Sequence, residues 1–265
     1  MIPAGMAAQL ACLWEAAARK PGNVSRRADF PGLTFLDLAM SAAAIAPEIE
    51  RGPGRSVGAT ILACIEATRQ VVATNTNLGI VLLLAPLAAG DDLDAILDGL
   101  TVEDADLAYR AIRLARPGGL GAAPRHDVAN APVVTLKEAM AAAADRDLIA
   151  RQYVTAFADV TAGTDFLAAA MARGADLEAA IIDLQRFLLA RAPDSLIARK
   201  RGPAEAEELM RLARTGADLT GWFAAGFPDR NPGTTADLIA ACLFVALRRG
   251  MITLPLSPPW PPILP

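Results

Sequence analysis

Asp145-Arg-Asp-Leu-Ile-Ala-Arg-Gln-Tyr-Val-Thr-Ala-Phe-Ala-Asp-Val160 carries the pattern that decides the fold class. Ile149, Tyr153, Ala156, Phe157 and Val160 recur at helical spacing on one face, and Arg151, Thr155 and Asp159 on another, so the stretch reads as an amphipathic helix rather than a strand. Working outward, the same period predicts helices over 5–19, 33–46, 55–73, 77–89, 102–115, 136–144, 146–161, 164–173, 177–191, 204–215 and 235–249. Thr101 with Asp104, Thr135 with Glu138, and Thr234 with Asp237 have capping-box spacing, while Arg116-Pro-Gly-Gly-Leu-Gly121 and Arg201-Gly-Pro203 read as helix ends. Composition agrees: 58 of the 265 residues are alanine, the best helix former and a poor strand residue. With no repeat and no long polar linker, the expectation is an all-α fold, a single globular multi-helix domain over 1–250 with a Pro-rich tail over 251–265.

Several function classes are set aside by composition. A formal net charge of -4 lacks the basic balance of a general nucleic-acid binder. The longest apolar runs, Leu78–Ala89 and Leu238–Leu247, fall short of the ~20 residues a membrane span needs, and no signal-peptide pattern is present. Cys12, Cys64 and Cys242 are odd in number and unrelated in spacing, which argues against a disulfide framework or a zinc site and fits a reduced cytoplasm. CxxC, GxGxxG, Walker A and nucleophile motifs are lacking.

Five polar clusters interrupt the apolar background. Arg19-Lys-Pro-Gly-Asn-Val-Ser-Arg-Arg-Ala-Asp-Phe30 gathers four cations around a turn, suited to a polyphosphate or to plain solvation. Thr74-Asn-Thr-Asn-Leu-Gly79 sets more amides and hydroxyls at the mouth of an apolar helix than capping requires. Asp145, Asp147, Arg151, Gln152 and Asp159 share one predicted helix, either as an ion-paired face or with Asp159 set apart in an apolar last turn. Asp194-Ser-Leu-Ile-Ala-Arg-Lys-Arg-Gly202 ends in a basic triplet that either complements a helix dipole or binds an anion. Arg230-Asn-Pro-Gly-Thr-Thr-Ala-Asp237 delivers hydroxyls, amides and one carboxylate to the start of an apolar helix, where Asp237 either completes a cap or serves a magnesium-bound phosphate. The sole histidine, His126, lies in the irregular stretch 117–132; it is a candidate base, but a lone histidine in a long loop is more often exposed and idle.

In order and spacing, Lys20-Pro-Gly-Asn-Val24, Thr34-Phe-Leu-Asp37, Asn75-Thr-Asn-Leu-Gly79, Asp194-Ser-Leu-Ile-Ala-Arg-Lys200 and Asn231-Pro-Gly-Thr-Thr-Ala-Asp237 resemble the triphosphoribosyl-dephospho-CoA synthase family from about residue 15 to 250. The resemblance implies a helical, cytoplasmic transferase in which the 2'-hydroxyl of dephospho-CoA attacks the anomeric carbon of ATP, expelling adenine with Mg²⁺ on the triphosphate. It implies Lys20, Asn23, Arg26, Arg27, Asn75, Thr76, Asn77, Lys200, Asn231, Thr234 and Thr235 for the nucleotide and its phosphates, Asp159 and Asp237 for catalysis, and Asp237 with Asp194 for the metal. Its partners would be small-molecule nucleotides, with neither nucleic acid nor membrane, and the oligomer it leaves open is a homodimer. Better-known members read Asn-Thr-His-Lys-Gly at Asn75–Gly79 and end His-Arg-Gly-Gly near Arg199–Gly202, so this chain is similar to a divergent archaeal and methylotroph branch. Two other readings stay open: an enzyme of one-carbon cofactor biosynthesis (methanopterin- or methanofuran-like) acting on a phosphorylated or ribosylated substrate, and a non-catalytic helical binding protein.

Overall fold

The computed structural model describes residues 2–118, 121, 123, 125–257 and 260. Among them the chain forms α1 (Ala4–Ala17), α2 (Phe35–Glu50), α3 (Val57–Val71), α4 (Leu78–Ala89), α5 (Leu93–Asp98), α6 (Val102–Ala115), α7 (Leu136–Ala141), α8 (Leu148–Val154), α9 (Ala158–Ala172), α10 (Leu177–Arg191), α11 (Ser195–Arg201), α12 (Pro203–Thr215), α13 (Thr220–Ala225) and α14 (Gly233–Arg248). The described residues contain isolated bridges at Ser25–Ala28 and Phe30–Leu33 but no strand, as the alanine-rich composition predicts. Helix α4 throughout and α14 from Leu238 to Leu247 are apolar all round and occupy the centre, because a helical segment without a polar face finds its place only inside. Every residue of α14 from Leu238 to Leu247 is buried, against α1, α4, α9 and α10. A smaller cluster, including Leu189, Ile197, Leu209 and Phe223, joins α10–α13. No described helix is long and apolar enough to cross a membrane. Leu256 and Trp260 pack against the main core, with the Arg26 guanidinium 5.7 Å from the Trp260 ring centroid.

Two expectations are corrected. The predicted helix 146–161 is two helices, so Asp145, Asp147, Arg151, Gln152 and Asp159 do not share one axis: Ala156 (φ 48°) and Phe157 (φ 58°) turn left-handed between α8 and α9. That backbone costs about 1–3 kcal/mol per residue, and it is offset by burial of the Phe157 ring beside Tyr153 (centroids 5.7 Å apart) and by the contacts of Asp159 described below. The Thr234–Asp237 spacing is not a capping box, since α14 starts two residues earlier than that box requires, with Pro232 rather than Thr234 at the N-cap and no side-chain cap. Thr101–Asp104 and Thr135–Glu138 do form complete boxes, and so does Thr34–Asp37. Helices α5, α11 and α13, absent from the sequence reading, have six or seven residues, too few to display a period.

Candidate functional site

A cleft of about 670 Å³ opens where the ends of α1, α4 and α14 face α6, α7 and α8. One half is polar, built by Glu15, Asn23, Asn75–Gly79, Asn231, Thr234 and Asp237; the other is apolar, built by Leu82, Tyr109, Ile112, Leu136, Met140 and Ile149. Arg125, Arg146 and Arg199 also line it, Arg199 holding Asp147 at 2.7 Å. The N-termini of the two central helices therefore meet the cleft, where unpaired backbone amides and helix dipoles favour anions.

Each polar position has a local cause. Gly22 turns the chain at φ 79°, and a Cβ there would lie 2.4 Å from the Phe223 ring. The turn sends Asn23 to Asn231 (Nδ2 to Oδ1, 3.0 Å). Asn75 Oδ1 accepts from Leu78 N at 3.2 Å, Thr76 shares a 2.5 Å hydrogen bond with Ser41, and Asn77 donates to Thr68 Oγ1 at 3.0 Å while its buried Oδ1 meets no described partner. Thr234 accepts from Ser195 Oγ at 3.0 Å.

Asp237 lies against Gly79 so closely that a Cβ on Gly79 would sit 2.0 Å from its Oδ2. Glycine at that position is thus a requirement of the carboxylate, not of the helix. Among the described residues no hydrogen bond reaches the Asp237 carboxylate. Burial, then the charges of Glu15 and Asp194, push its pKa well above the usual carboxylate range. Glu15 is itself held by Lys20, whose ammonium is fully buried and 2.9 Å from Oε1. Two carboxylates facing one cleft invite a positive charge between them.

The family model for CitG, ATP:dephospho-CoA triphosphoribosyl transferase, matches residues 3–253. The chain belongs to the CitG family. A crystal structure from Archaeoglobus fulgidus assigned as a triphosphoribosyl-dephospho-CoA synthase is similar, with a TM-score of 0.64 and 26% identity, covering 79% of this chain and 98% of that one. No curated protein sequence matches.

In this CitG-family transferase, Asn23, Asn75, Thr76, Asn77, Asn231, Thr234 and Asp237 line one cleft although the sequence spreads them over more than 200 positions. The remaining expected site residues lie off its lining. Lys20 is buried beneath Glu15, Lys200 is exposed, and Arg26 and Arg27 belong to the loop after α1, Arg26 lying 3.7 Å from Glu178. Asp194 is buried and accepts four hydrogen bonds, from Leu196 N and Ile197 N on one oxygen and from Thr235 N and Oγ1 on the other, so it caps α11 and ties it to α14. Asp159 lies in a separate open pocket with Arg151 and Arg191. Burial would raise its pKa, but hydrogen bonds from Gln152 (2.8 Å), Arg151 (2.6 Å) and Arg191 (3.2 Å) hold it below the usual range. Sequence reasoning passed over Glu15 and Arg146, and from the basic triplet it named Lys200 where Arg199 lines the cleft; Glu15, a lone acid inside an apolar helix, was a legible signal. His126 also lines the cleft, with φ 53° and its carbonyl accepting from Tyr109.

Proposed function

We propose that the cleft carries out the family's reaction on ATP and dephospho-CoA. The acceptor's 2'-hydroxyl forms a C–O bond to the anomeric carbon as the bond from that carbon to adenine breaks; the hydroxyl loses its proton and adenine leaves carrying one. The observation that carries this reading is the Asp237 carboxylate, without a hydrogen bond from any described residue, set against Gly79 where two helix N-termini converge. An oxocarbenium-like centre gains positive charge in the transition state, and a preorganised carboxylate in a desolvated site stabilises it. Asn23, Asn75, Thr76, Asn77, Asn231 and Thr234, with Arg199, supply donors for the nucleotide and its triphosphate. The apolar half excludes water and accepts the non-phosphate part of a substrate.

Mg²⁺ fits this donor set. Among the described residues no group of three His, Cys, Asp or Glu forms a metal cage, but Mg²⁺ is usually held by one or two carboxylates together with substrate phosphates. Glu15 and Asp237 would hold it, and the ion would neutralise charge on the triphosphate. Asp194 and Thr235 then act by positioning the start of α14, and Asp159 by bracing α8 against α9 and α10. The three buried free cysteines agree with a cytoplasmic enzyme.

The test is chromatographic detection of adenine from ATP, Mg²⁺ and dephospho-CoA, with Asp237→Asn as control. Adenine release that depends on dephospho-CoA and disappears in a folded Asp237→Asn variant is the expected result. ATP binding without adenine release would overturn the reading and favour the one-carbon cofactor enzyme; absence of ATP binding would favour the non-catalytic protein.

A further inference from the structure

The structure contains a chain of three amides whose direction is set far from the cleft. Gln185, on α10 and 2% exposed, places Nε2 2.9 Å from the backbone oxygen of Pro21 and 2.8 Å from Asn23 Oδ1. A backbone carbonyl can only accept, so the Gln185 atom facing Pro21 must be the NH₂ group, and its two protons go to Pro21 and Asn23. The Asn23 atom that receives one of them must be oxygen. Its other end is then NH₂ and donates to Asn231 Oδ1 at 3.0 Å. By the same step Asn231 is oriented with Nδ2 left over, and this group makes no hydrogen bond to any described residue. Asn231 lines the cleft immediately before α14.

We propose that Gln185 is a positioning residue that fixes Asn231 Nδ2 as a hydrogen-bond donor to a phosphoryl oxygen of the bound triphosphate. The proposal rests on the reading that the polar half of the cleft holds a polyphosphate. A freely rotating asparagine offers an anion either its NH₂ or its repelling oxygen, with similar ease. The relay removes the second choice before the ligand arrives, so less reorganisation accompanies binding. Directionality distinguishes this role from ordinary packing: any group at position 185 that cannot donate leaves Asn23, and hence Asn231, free to turn over.

The experiment is calorimetric titration of inorganic tripolyphosphate, which needs no turnover, into the wild type, Gln185→Glu, Asn231→Ala and the double variant, with melting curves as a check on folding. At pH 8 a glutamate at 185 accepts only, and binding is expected to weaken about tenfold, a change of ~1.4 kcal/mol. Acidification, which restores a donor to the carboxyl group, should recover much of the affinity. In the Asn231→Ala background the same substitution should have no further effect, because the donor it orients is gone. Should Gln185→Glu fail to fold, Gln185→Met, neutral and without a donor, makes the same comparison. Wild-type affinity in a folded Gln185 variant, an equal loss with and without Asn231, or no tripolyphosphate binding by the wild type would each overturn the proposal. Failure of the reaction itself shows separately, as the absence of adenine release.

Discussion

Replacing Gly79 with alanine moves one carboxylate and little else. The added Cβ would lie 2.0 Å from Asp237 Oδ2 and 2.5 Å from its Cγ. Restoring an ordinary contact of about 3.5 Å requires the carboxylate to retreat by about 1.5 Å. It can do so, because it is the end of a side chain at the wall of a cleft. Alanine also suits a helix better than glycine by about 1 kcal/mol, so the melting temperature should stay level or rise by about 2–4 °C. Catalysis should not survive as well: a misplacement of about 1 Å can cost ~10²-fold in rate, equivalent to about 2.7 kcal/mol of barrier. The assay is adenine release at saturating ATP and dephospho-CoA, run beside thermal melts. Gly58→Ala is the contrasting control, since its Cβ would meet Asp104 Cα at 2.5 Å and carbonyl oxygen at 2.6 Å, backbone that cannot yield. A Gly79→Ala enzyme with wild-type kcat would refute the reasoning, as would one that melts as early as the Gly58 variant.

Further consequences can be measured. Asp159 has a folded-state pKa below its unfolded value of about 3.9, so its contribution to stability is present above that pH and is lost as pH falls through the folded value. Asp159→Asn should therefore melt earlier than the wild type at pH 7, with the gap closing toward pH 3 and kcat unchanged; lost turnover with no change in melting would make Asp159 catalytic instead. Lys20→Met strands Glu15 without its buried partner and should cost about 3–5 kcal/mol in urea unfolding; a loss below ~1 kcal/mol would mean the pair is solvated. Arg199→Gln should raise KM for ATP about tenfold, ~1.4 kcal/mol, with a smaller effect at high salt; an unchanged KM would place Arg199 outside the phosphate path.

The legible part of the site consisted of polar residues that interrupt an apolar chain. Asn75, Thr76, Asn77, Asn231 and Asp237 stood out because nothing nearby needed them, and all five line the cleft. The cations were harder to sort. Lys20 and Lys200 are rare in an arginine-rich chain, yet one is buried under Glu15 and the other faces outward, while Arg199 reaches the cleft. Neighbours in sequence on a helix point about 100° apart, so only the docking of α11 against its surroundings decides which of Arg199 and Lys200 faces inward. Gln185 gave no signal at all, since one amide within an amphipathic helix looks like any other until its partners are brought beside it.

Local chemistry by itself determined that this chain is helical: alanine content, the spacing of apolar residues and threonine-led caps are properties of a few successive turns, and they act before any tertiary contact exists. It also determined that α4 and the Leu238–Leu247 run of α14 lie inside, because a helical segment with no polar face has nowhere else to go. Tertiary structure decided the break at Ala156–Phe157, where burial of an aromatic ring and an ion-pair network outweigh helix propensity. It decided as well that Asp237 stands against Gly79, with no hydrogen bond from a described residue, rather than serving as a cap. Those two residues are 158 positions apart, and their contact depends on the packing of α4 against α14.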